Sequence, residues 1–206
     1  MIRAVKKNID LIFSKKFTSY EYPDKIMISY QKMSIFNKKL SVEEIYDKFQ
    51  NDKNVILMGE DIAGGKGREE YPGTQDSWGG PFGVTQGLLT KFGPERVRDT
   101  TITEAGFFGA AVGAAMTGLR PIVELMYVDF LGVCFDQLMN QAAKMRYMFG
   151  GKMHVPMVVR TVVGAGFRAG SEHSQTLYSI YTHIPGLKVV APYDAYDAKG
   201  LLLSAI

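Results

Sequence analysis

The sequence predicts an α/β fold, a mostly parallel sheet with helices on both faces, and three observations predict it. Short, near-continuous apolar runs at residues 55–59, 97–102, 122–128, 157–163 and 187–191 read as strands covered on both sides. Helix-like segments alternate with them at 105–118, 133–149 and 194–206, as repeated βαβ units require. Residues able to do chemistry, namely Glu104, Phe130 and the 164–175 loop, follow the ends of strands, where open α/β sheets bind their ligands.

Taken in order, residues 1–39 hold nine Lys or Arg against three Asp or Glu, so the basic surplus belongs to an amino-terminal arm and the domain proper is expected over 40–206. Ser41 with Glu44 three residues later has the spacing of a capping box, which predicts a helix over 42–50. The stretch 61–93 is rich in glycine and contains Pro72 and Pro81; it reads as a long functional loop or broken helix beside a ligand or a subunit interface. The 97–102 strand runs into a helix carrying Gly109, Ala110, Ala111, Gly113, Ala114 and Ala115. Glycine inside a helix costs about 1 kcal/mol relative to alanine, so two of them imply close approach of another backbone. The last helix ends at Ile206 on KGLLLSAI, with no glycine cap and no polar tail, and the expectation is a fragment whose domain continues beyond it.

Composition narrows the function classes. With 206 residues, 46% hydrophobic and 22% charged, the chain has the make-up of one ordinary globular domain. The net charge of +3 is mild, and no basic face interleaved with aromatics or reader motif is present, which argues against nucleic acid as a partner. Cys134 is the only cysteine, so neither a disulfide framework nor a CxxC site can form within the chain. No apolar run approaches the roughly 20 residues that span a bilayer, so no membrane partner is expected. A reducing compartment fits, the cytoplasm first; the Lys-rich, acid-poor segment 1–16 leaves the mitochondrial matrix or another organelle as the alternative.

Glu104 stands at a strand-to-helix junction, flanked by Ile102, Ala105, Gly106, Phe107 and Phe108. By spacing alone it is a first-turn carboxylate favoured by the helix macrodipole; its apolar neighbours also suit a carboxyl group that shares a proton. Phe130 follows a strand and could stack on a heteroaromatic face, worth on the order of 1 kcal/mol beyond burial, with Met126 and Tyr127 as weaker pocket candidates. His173 lies in GAGFRAGSEHSQ, where an imidazole near its titration point could protonate or stabilise a reacting group. His183 and His154 read as structural and surface residues. No two histidines have zinc-ligand spacing, and neither GAGFRAG nor GGKG meets the dinucleotide or P-loop pattern.

The blocks DTTITEAGFFGAAVGAAMTGLRP, ELMYVDFLGVCFDQLMNQAAKMRYMFGGK and GAGFRAGSEHSQTLYSIYTHIPGLKVVAP resemble, in one order, the β subunits of the thiamin-diphosphate-dependent decarboxylating component of 2-oxo acid (pyruvate-type) and acetoin dehydrogenase complexes. The resemblance covers about residues 41–206. It implies a transketolase-like pyrimidine-binding domain in which Glu104 activates the cofactor and, with Phe130 and Met126, binds its aminopyrimidine, while His173 acts catalytically at the mouth where a lipoyl arm enters. The diphosphate and its magnesium are held in this family by a partner α subunit, whose GDG-to-Asn motif is absent here. The implied assembly is an α2β2 heterotetramer serving a lipoyl acyltransferase core, active only with α. The implied small-molecule substrate is pyruvate, acetoin or a branched-chain 2-oxo acid; DSWGGPFGVTQGL and MRYMFGGK are most similar to the acetoin and pyruvate branches. Two other readings are a fragment of a single-chain transketolase-like or deoxyxylulose-phosphate synthase enzyme, and a non-catalytic interaction module.

Overall fold

A computed structural model describes residues 25–31, 38–63, 79–80, 82–164, 166 and 168–206. Much of the amino-terminal arm and of the glycine-rich stretch, including Pro72 and Pro81, lies outside the described residues.

Six strands form one parallel sheet: β1 (Lys25–Gln31), β2 (Val55–Glu60), β3 (Val97–Thr100), β4 (Arg120–Tyr127), β5 (Met157–Val163) and β6 (Lys188–Val190), in the order β3-β2-β4-β5-β1-β6. The helices are α1 (Lys38–Asn51), α2 (Leu88–Phe92), α3 (Glu104–Met116), α4 (Met145–Met148), α5 (Tyr178–Thr182) and α6 (Ala195–Ala205). Among the described residues, no helix is long and apolar enough to cross a membrane.

Period-two alternation sorts the strand side chains into two cores. Ile56, Met58, Val123, Leu125, Met157, Val159 and Val163 join a cluster with Phe107, Phe108, Ala111, Val112 and Ala115 of α3. Val55, Leu57, Ile122 and Val158 join the opposite cluster with Ile45 and Phe49 of α1, Leu88 and Leu89 of α2, and Ala198 and Leu202 of α6. In α1 and α6 the buried pairs are four residues apart, the helical signature of one apolar stripe. Asp194 caps α6, its Oδ1 accepting from the Asp197 N–H at 2.8 Å.

Four local features depart from the sequence expectation. Strand β1 lies within residues 1–39 and pairs with both β5 and β6; its lysine-rich flanks mask a short apolar alternation, IMISY. Helix α1 begins at Lys38, so Ser41 sits inside the helix and does not open it. The single helix expected over 133–149 is instead broken into a π-helical stretch at Gln137–Ala142 and the four-residue α4, preceded by a 3-10 turn at Val128–Gly132. Finally, Leu125 stands opposite Thr161 and Tyr127 opposite Val162, so Met126 is an extra residue, a β-bulge at the end of β4.

Candidate functional site

The carboxyl ends of β2, β3, β4 and β5 share one edge of the parallel sheet, and two side-chain clusters gather there. The first is built around Glu104, which opens α3 and is only 8% exposed. Backbone bonds from Gly106 and Phe107 N–H to the Thr103 carbonyl, 2.8 and 3.0 Å, fix the turn that aims it. Glu60, the last residue of β2, lies close enough that burial first, then the Glu104 charge and then the Asp61 charge, push its carboxyl above the usual range. On the side of the 3-10 turn, the Cys134 thiol is pushed up to about 12 by burial, with a further contribution from Glu104, which makes it an inert packing group. Two neighbouring strand ends thus present a pair of carboxyl groups in a place that disfavours two charges.

Gly109 has a packing reason. A Cβ added there would stand 3.4 Å from Gln137 Oε1 of the π-helical stretch, so α3 and that stretch approach closely. The other small residues of α3, Ala105, Gly106, Ala110 and Gly113, form an exposed face beside Ile102 and Val133.

The second cluster is aromatic. His173 ends a 3-10 turn, Ser171–His173, and its ring is held edge-on against Tyr127 at 4.6 Å and Phe130 at 5.1 Å between centroids. Tyr127 in turn contacts Phe130 at 6.2 Å and Phe82 at 6.1 Å. The bulge at Met126 sets the side to which Tyr127 points. Burial, reinforced by the Asp129 charge, raises the Tyr127 phenol pKa. His173 Nδ1 is buried without a hydrogen-bond partner and lies 3.7 Å from Glu172 Oε1.

Of the four residues singled out from sequence, Phe130 and His173 touch, Met126 forms the bulge two residues before Asp129's neighbour Val128, and Glu104 stands at the same sheet edge. Phe130 and Glu104 are linked through Cys134, whose Sγ contacts the Phe130 carbonyl at 3.8 Å and whose thiol feels the Glu104 charge. Glu60 escapes sequence reading, although a lone carboxylate ending an apolar strand is a usable signal. So does the buried pair Glu124–Arg160 at facing positions of β4 and β5, where each strand carries one charge of opposite sign. His154 lies at the surface with Arg146 Nη1 2.7 Å from its Nδ1. Among the described residues no three His, Cys, Asp or Glu stand together as a metal-ligand set. A cleft lined by Arg120, Pro156, Lys188 and Ile206 lies at the opposite edge, at the amino ends of the strands.

Buried polar atoms without partners at the carboxyl edge, Glu60 Oε1, Thr100 Oγ1 and His173 Nδ1, mark where a polar ligand would complete the bonding. A flat heteroaromatic amine fits this donor set: a carboxyl for a ring nitrogen and aromatic faces beside it.

Comparison with known proteins identifies the family and the fold. The family described as "Transketolase, pyrimidine binding domain" matches residues 34–206. The chain is 60% identical over 157 residues to the acetoin:2,6-dichlorophenolindophenol oxidoreductase subunit beta of Bacillus subtilis, covering 76% of this chain and 46% of that protein. It is 47% identical over 174 residues to the pyruvate dehydrogenase E1 component subunit beta of Rickettsia felis, covering 84% and 49%. It therefore spans about half the length of the curated relatives it matches. Among solved structures, a split-gene transketolase described as an inactive beta4 tetramer superposes with a TM-score of 0.58 at 18% identity, over 82% of this chain and 47% of that one, a likeness of fold.

Proposed function

Because the chain belongs to the transketolase pyrimidine-binding domain family, we propose that it forms the β-subunit half of the active site of a thiamin-diphosphate-dependent acetoin or 2-oxo acid (pyruvate) dehydrogenase component. The observation that carries this reading is Glu104: a carboxyl group with 8% exposure at the carboxyl edge of the sheet, beside a second carboxyl, Glu60, that is pushed toward its protonated form.

Thiamin diphosphate, when bound, would supply a thiazolium carbon that is a nucleophile once deprotonated and an electron sink for carbon–carbon cleavage. Glu104 would hold a proton between its carboxyl oxygen and the aminopyrimidine ring nitrogen, a transfer most efficient where water is excluded. Phe130 would cover a face of the pyrimidine, and Met126, at the bulge, would pack against its edge. His173, wedged between two rings, would give or take the proton needed as the acyl fragment passes to a lipoyl group. The sequence lacks the GDG-to-Asn diphosphate motif, and in this reading that half, with magnesium, falls to an α subunit in an α2β2 assembly feeding a lipoyl acyltransferase. The reaction then runs in the bacterial cytoplasm or the mitochondrial matrix. Identity of 60% with the acetoin subunit against 47% with the pyruvate one favours acetoin as the substrate.

The test is Glu104→Gln in the protein assembled with its α partner. Turnover is expected to fall by about a thousandfold or more, within the range for loss of a positioned acid–base group, while assembly is unchanged. Wild-type turnover in that variant would overturn the reading.

A further inference from the structure

We propose that Asp129 is a positioning residue that fixes the pose of His173. The proposal rests on the reading of His173 given above and extends it to a residue that the similarity to other proteins does not single out.

The loop from Gly164 to α5 does little to hold itself in place. Gly164 and Gly170 have φ of 97° and 93°, and Arg168 has φ of 56°; over 168–177 its described residues include one short turn, Ser171–His173. Its anchorage converges on Gln175, two residues beyond the histidine. The Gln175 carbonyl accepts from the Gly164 N–H at 2.8 Å, tying the loop to the end of β5. The Gln175 N–H donates to Asp129 Oδ1 at 3.3 Å, tying it to the turn that follows β4.

Asp129 is well placed for this task. It is half-buried, follows the fully buried Val128, and stands between the two rings that hold the imidazole, Tyr127 and Phe130. One short carboxylate therefore sets the distance between the walls of the histidine's slot and the backbone that carries the histidine. At 3.3 Å the bond is a long one, and its effect comes from what it joins, segments 46 residues apart in sequence. Without it, the loop around His173 would be held to β5 by the Gly164–Gln175 bond but would lose its tie to the turn after β4 that carries Phe130.

The experiment compares wild type, Asp129→Ala, Asp129→Asn and His173→Ala, each as the full chain assembled with its α partner. Two quantities are read: amide hydrogen exchange of the 171–177 peptide, and the rate of acyl transfer to free lipoamide alongside KM for the carbon substrate. Asp129→Ala should speed exchange of that peptide and slow transfer, each by about fivefold, the worth of one ordinary hydrogen bond, with KM unchanged. Asp129→Asn keeps an acceptor oxygen and should restore both to within about twofold, a rescue that a general packing defect would not show. Unchanged exchange in Asp129→Ala overturns the clamp. Faster exchange with normal transfer, while His173→Ala is slow, overturns the positioning role. Normal transfer in His173→Ala overturns the reading of His173 itself and the proposal with it.

Discussion

On one face of the sheet, α1 and α6 are regular helices that bury Ile45 and Phe49, and Ala198 and Leu202, at four-residue spacing. On the other face α3 is the long regular helix among the described residues, joined by the five-residue α5; between them the chain crosses the core as a 3-10 turn, a π-helical stretch and a four-residue helix. The broken face carries Phe130, Cys134 and the contact with His173, whereas the regular face carries the larger share of plain scaffold. Irregular helices are the less stable way to cover a sheet, and π turns occur often at functional sites. Their use here beside the strand ends shows where packing has yielded to the placement of particular groups.

The largest expected effect lies under the regular face. Arg160 and Glu124 are 3% and 4% exposed and paired to each other, so Arg160→Leu alone should cost about 3–5 kcal/mol by leaving a buried charge unpaired. Replacing both by leucine should cost far less, which a double-mutant cycle in urea would show; equal losses in the single and double variants would contradict it. Next is Leu202→Ala, a fully buried side chain in α6, expected to cost about 2–5 kcal/mol with no change in turnover per folded molecule. Loss of turnover at full folding would mean that the two faces are not separable in this way.

The smallest effect has the opposite sign and belongs to the site edge. Glu60 has a folded-state pKa above its unfolded value, so its contribution to stability is fully present below the unfolded value and is lost as pH rises through the folded one. At pH 7 the ionised form is disfavoured by burial and by Glu104, and Glu60→Gln should raise the thermal midpoint there. That gain should vanish on acidification below the ordinary carboxylate range. A midpoint lowered at pH 7 would show that the carboxylate is a structural asset instead of a strained functional group.

The parts of the molecule legible in the sequence follow the same division. Strands β2 to β5 are apolar runs whose alternation dictates both cores, and α6 announces itself by Asp194 and its apolar spacing. The 133–149 segment does not, because an apolar pattern fits turns of four or five residues almost equally well, and only the approach of Gln137 to Gly109 decides between them. Glu104, Phe130, Met126 and His173 could be picked out because each stands at a strand end or in a matched motif. Glu60 left only the weak signal of a carboxylate ending an apolar strand and Asp129 left none, since their significance comes from residues far along the chain, Glu104 and Gln175. The strand at Lys25–Gln31 was hidden for a different reason: long-range pairing with β5 and β6 supplies what local pattern does not.

The extra residue at Met126 acts as a change of parity. Counting along β4, odd positions up to Leu125 face the α3 core; after the bulge Tyr127 keeps company with Val162 and not with Val163, so odd and even exchange sides. Substitutions at 126 leave that count intact; were the bulge ironed out with the chain length kept, Tyr127 would fall opposite Val163 and its ring would turn to the far side of the sheet, away from His173. The side on which Tyr127 meets His173 is thus set by the slip in the count, and the site depends on where that slip falls as much as on which residue fills it.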